Sequence, residues 1–140
     1  MAHFLCPPPW LTHFIHGRYD TGSTATGAIM AYRAARADNF DGTDYSLHSI
    51  VGAARSDACK PMATLGAIDG VPQSSYWGTS DGLEDTGVYK YFSRTIPADS
   101  AVAKAAAELM KSQGHTIVGI AHVDDPYGGS WKDAFVKYCR

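Results

Sequence analysis

Long apolar runs are missing from this sequence, and no stretch approaches the roughly 20 residues a helix needs to cross a bilayer. An excess of one charge sign is missing as well. Twelve Lys and Arg stand against fourteen Asp and Glu, a formal net charge of -2, and both signs are scattered, which leaves no basic footprint for nucleic acid. Cysteine is scarce: Cys6, Cys59 and Cys139 cannot all pair within one chain and none stands in a C-x-x-C, so their disulfide state and the redox compartment stay open. The six histidines are dispersed, and His13 and His16 are too few for a metal site. Nothing in the pattern calls for a metal or a cofactor. Internal repeats and low-complexity segments are also lacking. The opening MAHFLCPPPWLTHFIH has no basic n-region and no small-residue cleavage site, so it does not read as a signal peptide.

What is present suits one core, or slightly more: 45% hydrophobic against 19% charged residues in a chain of 140. The organising signal is alternation. Three prolines at 7–9 forbid regular structure, and residues 1–17 are expected to be poorly anchored. Helical spacing begins near Thr24, with Ala28, Met30, Ala31, Ala34 and Ala35 available for a packed face. Residues 45–52 predict a buried strand through Leu47, Ile50 and Val51. Ser56 or Asp57 is then expected to cap a helix whose apolar positions are Met62, Leu65 and Ile68, closed by Gly70 and Pro72; Pro61 is tolerable only near its first turn. Residues 71–77 predict the next strand, YKYFSRTI a further extended stretch, and Asp99 the cap of a helix with Val102, Ala105, Ala106, Leu109 and Met110 on one face. Residues 116–123 predict an apolar strand, DDPYGG a turn, and Trp131, Ala134, Phe135 and Tyr138 a final amphipathic helix. Strands alternating with helices of this length indicate an α/β fold of parallel βαβ units.

In such sheets ligands bind beyond the carboxyl ends of strands, where helix N-termini offer free N–H groups. Ser56, Thr79, Asp99 and Tyr127 occupy such positions and would share one rim. Two short motifs point elsewhere. Gly78-Thr79-Ser80-Asp81-Gly82 fits the G-x-S-x-G nucleophile elbow, with Asp99 and His115 or His122 following in hydrolase order, which would make Ser80 a nucleophile. The elbow needs a helix directly after the serine, yet LEDTGVYKYF has poor helical spacing. Asp20-Thr21-Gly22-Ser23 looks like the D-T-G-S of aspartic proteases, whose two aspartates share a proton. Those enzymes are all-β, and a turn leading into a helix is the better account here.

A broader pattern carries more weight: Ile50-Val51-Gly52 with Ser56 four residues on; Val71-Pro72-Gln73 before Ser75-Tyr76-x-x-Thr79-Ser80; the block Tyr89-x-Tyr91-Phe92-x-Arg94-Thr95-x-Pro97-x-Asp99; and Asp125-x-Tyr127-Gly128 before the last helix. In order and spacing, residues 47–137 resemble the receptor family ligand-binding region, the type I periplasmic-binding-protein fold of class C G-protein-coupled receptors, natriuretic-peptide-type receptors and bacterial amino-acid-binding proteins. Residues 18–37 resemble the same family less specifically.

The resemblance implies a partial fold of that type, with residues 18–98 as most of lobe 1 and 99–140 as the beginning of lobe 2. Compared with the family the chain lacks a first strand and helix and stops early in lobe 2, so a fragment of marginal stability is expected. It also implies a non-enzymatic, receptor-like function on the extracellular side of a membrane: an amino-acid-like ligand held in the interlobe cleft and signalled by closure. The alternative is a soluble binding protein feeding an amino-acid transporter. By position, Ser56 would hold the ligand carboxylate and Thr79 its amino group. Tyr76 and Trp77 would fill the loop beside it, Asp99 would face the ammonium, and Tyr127 would cover the ligand. Four of them have a plainer alternative: Ser56 and Asp99 as helix caps, Thr79 satisfying its own loop, Tyr127 packed on Trp131. Arg94 is expected to pair with a carboxylate at the crossover between lobes. The partners implied are the small-molecule ligand, the rest of a receptor chain and, through the family's usual dimer, a second copy.

Overall fold

The computed structural model describes residues 17–37 and 47–140. The first sixteen residues, with Cys6, His13 and His16, and the beginning of the strand expected from Tyr45 lie outside them.

Among the described residues, three short strands form one parallel sheet, β1 (Ile50–Val51), β2 (Gln73–Ser75) and β3 (Phe92–Arg94), in the order β1-β2-β3. Ile50 pairs with Gln73 and Val51 with Ser74; Gln73, Ser74 and Ser75 pair with Phe92, Ser93 and Arg94. Helix α1 (Ala25–Ala37) packs on α2 (Ser56–Asp69), which joins β1 to β2. After β3 come α3 (Asp99–Ser112) and α4 (Pro126–Cys139), which pack on each other. This is the parallel α/β arrangement expected from the alternation of patterns. None of these helices is long and apolar enough to cross a membrane.

Two apolar cores result. Ala28, Ala53, Ala58, Cys59, Met62 and Leu83 form the first, with Ile50, Tyr89 and Phe92 packed against it. Ala103, Ala107, Ala134 and Phe135 form the second, flanked by Ile120, Trp131 and Tyr138. Small residues dominate because they let helices approach closely, and Trp131 stacks on Phe135 with ring centroids 5.1 Å apart. The first core is tied at its edge by the Tyr32 hydroxyl, which donates to Asp69 at 2.7 Å, while Arg36 approaches the same carboxylate at 3.6 Å.

Local chemistry explains the helix ends. Asp20-Thr21-Gly22-Ser23 is a turn: the Asp20 carboxylate accepts from the Gly22 N–H at 2.7 Å, Gly22 and Ser23 take positive φ, and the Thr24 hydroxyl receives the Gly27 N–H. Gly70 ends α2 in the left-handed conformation that glycine adopts without cost.

Several expectations need correction. The N-cap of α2 is Arg55 and that of α3 is Ala98, so Ser56 and Asp99 are the first helical residues, and neither N-cap makes a side-chain capping bond. The buried faces are rotated toward the small residues. Tyr32 is buried in α1 while Met30 is exposed; Ile68 of α2 is exposed; and α3 buries Ala103 and Ala107 while Val102 and Leu109 face outward. Residues 116–123 form no strand. Their apolar composition satisfies the pattern for one, but no neighbouring strand among the described residues pairs with them, and Ile117 is 91% exposed. A strand is defined by the backbone that pairs with it, and periodicity cannot supply that.

Candidate functional site

The site begins where β1 and β2 stop. Just beyond the short ladder, carbonyl groups of Gly52 and Ala53 would be left unpaired, and β2 supplies side chains for them from its buried face. Gln73 Nε2 donates to the Gly52 carbonyl at 2.6 Å and Ser75 Oγ to that of Ala53 at 2.7 Å. The Ser75 hydroxyl in turn accepts from the N–H groups of Trp77 and Gly78, at 3.2 and 2.8 Å, and so shapes the loop. Cys59 closes the back of this cluster, its sulfur 3.1 Å from the Ala53 carbonyl; burial pushes its thiol up. A Cβ on Gly78 would lie 2.8 Å from that sulfur, which is why the loop passes here with glycine.

The loop then runs past α2. Ser56 Oγ receives the Ser80 N–H at 3.1 Å, so the buried hydroxyl binds the loop rather than capping its own helix. Arg94, at the end of β3, reaches back with Nη1 to the carbonyls of Gly78, Thr79 and Ser80 at 3.4, 3.0 and 3.0 Å, and Nη2 pairs with Glu84. The pairing with a carboxylate matches the sequence expectation, although Glu84 belongs to the turn after β2 rather than to the crossover after β3, and the threefold grip on loop carbonyls comes in addition. Because this guanidinium satisfies a whole turn of backbone, Arg94→Ala is expected to cost about 2 kcal/mol. Glu84→Gln, at a carboxylate 60% exposed, should cost no more than about 1 kcal/mol. Urea unfolding of the two variants checks this ranking.

Three buried side-chain polar atoms find no hydrogen-bond partner among the described residues: Gln73 Oε1, Thr79 Oγ1 and Asp99 Oδ2. Thr79 and Asp99 are joined through their backbones, the Asp99 N–H donating to the Thr79 carbonyl at 2.9 Å. Burial pushes the Asp99 carboxyl above its ordinary value. The Thr79 and Ser130 hydroxyls draw it back without meeting Oδ2 in hydrogen-bond geometry, the Asp81 carboxylate adds to the rise, and Arg94 opposes it.

Asp81 is the residue that sequence reasoning missed. Its carboxylate accepts the Ser100 N–H at 3.0 Å and so holds the first turn of α3, while its own N–H donates to Ser130 Oγ of α4 at 2.9 Å. The sequence carried no clear signal for this role, because Asp99 itself has the residue type and position of a cap for α3.

Of the predicted residues, then, Ser56, Thr79 and Asp99 are brought to one buried place. Tyr76, Trp77 and Tyr127 are exposed on its outside, Trp77 at 64% and Tyr127 at 45%. Trp131 stacks on Phe135 rather than holding Tyr127. Ser80 is buried, its backbone is held by Ser56 and Arg94, and the four-residue 3-10 turn Asp81–Glu84 follows it instead of the helix an elbow requires. His115 and His122 are exposed in the segment that follows α3. A cavity of about 550 Å³ opens beside the site, lined by Lys60, Ser80, Asp81, Ser130, Asp133 and Lys137 among others; it adjoins Ser56, Thr79 and Asp99 without including them. No cluster of His, Cys, Asp and Glu able to hold a metal exists among the described residues.

Comparison with known proteins gives the family. The receptor family ligand binding region matches residues 4–139. Metabotropic glutamate receptor 6 of Oryctolagus cuniculus is 30% identical over 129 residues, 90% of this chain and 14% of the relative. Metabotropic glutamate receptor-like protein E of Dictyostelium discoideum is 30% identical over 100 residues, 71% of this chain and 12% of the relative. The rat metabotropic glutamate receptor 6 is 33% identical over 92 residues, 66% of this chain and 11% of the relative. The chain thus spans about one-seventh or less of the curated relatives it matches. With the match running across nearly all of its length, the chain belongs to the family of receptor ligand-binding regions, which are binding domains and not enzymes.

Proposed function

We propose that this chain contributes one wall of a receptor's ligand cleft, and that the ligand is a small amino-acid-like zwitterion. The observation that carries the reading is the buried Thr79 hydroxyl and Asp99 carboxylate, on two residues joined by a backbone hydrogen bond, whose Oγ1 and Oδ2 have no partner among the described residues. Buried polar groups ordinarily have partners, and a hydroxyl beside a carboxylate suits an ammonium. Ser56, at the first turn of α2, adds a hydroxyl near helix N–H groups, which suits the ligand carboxylate. In this reading Tyr76, Trp77 and Tyr127 form the outer lining, residues 18–98 belong to one lobe and 99–140 to the other, and the ligand favours the arrangement in which the two are in contact. The separate apolar cores support the division. The relatives' names support an amino acid such as glutamate as the ligand class and a membrane receptor, with the cleft outside the cell, as the setting. The outward Val102, Leu109 and Ile117 are apolar surface that the rest of a receptor chain would cover.

The test is calorimetric titration of the chain with L-glutamate and a panel of other L-amino acids, followed by the Ser56→Ala and Thr79→Ala variants. At least one amino acid should bind, and each variant should weaken it about tenfold, the size of one hydrogen bond to a charged group. Binding by none of the panel, or variants that leave the affinity untouched, overturns the proposal.

A further inference from the structure

Arg55 is the wrong residue for its own helix. As the N-cap of α2 it brings a cation to the end where the helix dipole is already positive, and its side chain caps nothing there. The guanidinium instead crosses to α4, where Nη2 pairs with Asp125 Oδ2. Asp125 is well placed to receive it. Its Oδ1 accepts the N–H groups of Tyr127 and Gly128 at 3.0 and 2.8 Å, which caps α4 and leaves Oδ2 free to face across the gap.

Both partners are anchored through their backbones. The Arg55 carbonyl accepts from Ala58 and Cys59, and the Asp125 carbonyl from Gly129, all within 3.0 Å. The pair therefore ties together two helix N-termini that would otherwise present like partial charges to each other, with the Asp125 carboxylate between them. It also stands at the mouth of the site: Ser56 follows Arg55 directly, and Tyr127 lies two residues beyond Asp125. A second link spans the same gap deeper in, from the Asp81 N–H to Ser130 Oγ.

We propose that the Arg55–Asp125 pair is a latch between the two halves of the chain, which stabilises their contact in the absence of ligand and so sets how readily the cleft opens. The proposal rests on the two-lobed reading above. A contact made only when the halves meet must shift their equilibrium by its own strength. Because Arg55 is 51% and Asp125 18% exposed, that strength is modest and is screened by salt.

Amide exchange of the full chain, resolved by NMR and without any amino acid present, tests the latch. The Asp81 N–H reports the gap, and the Gln73 N–H, bonded to the Tyr91 carbonyl within the sheet, reports the first half alone. Arg55→Gln should speed exchange at Asp81 about two- to fivefold, as expected for a partly exposed ion pair, and leave Gln73 unchanged. Arg55→Lys, which keeps the charge, should stay close to the unmodified chain. Asp125→Asn should match Arg55→Gln, and combining them should add nothing further. Salt at 1 M should reproduce the effect in the unmodified chain only. Unchanged exchange at Asp81 in Arg55→Gln overturns the latch, and so does equal acceleration at Gln73, which would make the pair a contact of global stability. No ligand enters this measurement, so a chain that binds no amino acid sinks the ligand reading while the latch stands or falls on Asp81.

Discussion

Gly128→Ala is expected to cost about 3 kcal/mol, and to loosen the second half of the chain before the first. An added Cβ would lie 2.1 Å from the Val123 carbonyl oxygen and 2.9 Å from Val123 Cγ2. The obstacle is mostly backbone, so no rotamer change relieves it: either α4 or the segment ahead of it must move. Moving α4 displaces Asp125 and Tyr127 at its N-terminus and Phe135 in the second core. The neighbouring Gly129 provides the control, since a Cβ there meets nothing within 4 Å. Gly129→Ala should be neutral or stabilising by up to about 1 kcal/mol, because alanine is the better helix former. Urea unfolding followed by fluorescence measures both. If Gly128→Ala is no less stable than Gly129→Ala, the close approach of α4 to Val123 is not a feature of the folded protein.

Asp99→Asn should produce the largest loss of ligand affinity, about one-hundredfold, the upper range for a hydrogen bond to a charged partner. The same change should raise the stability of the ligand-free chain at neutral pH, and the sign follows from the raised carboxyl. Between the ordinary value of 3.8 and the higher value in the folded chain, the folded state holds a proton that the unfolded state has released. Stability therefore falls as pH rises through that window and stays lowered above it. Asparagine carries no charge to desolvate, so the gap between variant and unmodified chain should be small below pH 3.8 and reach its full size once the carboxyl is ionised. Urea midpoints measured across pH 3 to 8, together with a calorimetric titration at pH 7, test both halves. A variant that is less stable at pH 7 would mean that the fold needs the carboxylate, and one that binds ligand normally would remove Asp99 from the site.

Much of this was legible in the linear pattern, and the failures share a cause. The α/β alternation, the turn at Asp20 and the stop at Gly70 follow from local chemistry, in which a few neighbouring residues decide the outcome. The strand expected at 116–123 failed because pairing depends on a segment far away in sequence. The buried face of α3 was misjudged for a similar reason: Val102 and Leu109 look like core by size, yet α4 approaches so closely that only Ala103 and Ala107 fit between the helices. Asp81 was overlooked because its three links, to Ser100, Ser130 and the field at Asp99, lie 19, 49 and 18 residues away.

By itself the sequence determined the family, the parallel order of elements and the residue types at the strand ends, since motif spacing and periodicity are properties of the chain in one dimension. Tertiary structure decided what those residues do. Packing placed the Ser56 hydroxyl on the Ser80 N–H, left Thr79 Oγ1 and Asp99 Oδ2 buried and without partners among the described residues, and set Arg55 across from Asp125. Each is a relation between groups brought together by burial, where low dielectric and exclusion of water determine whether a polar atom is a cap, a binding group or a latch.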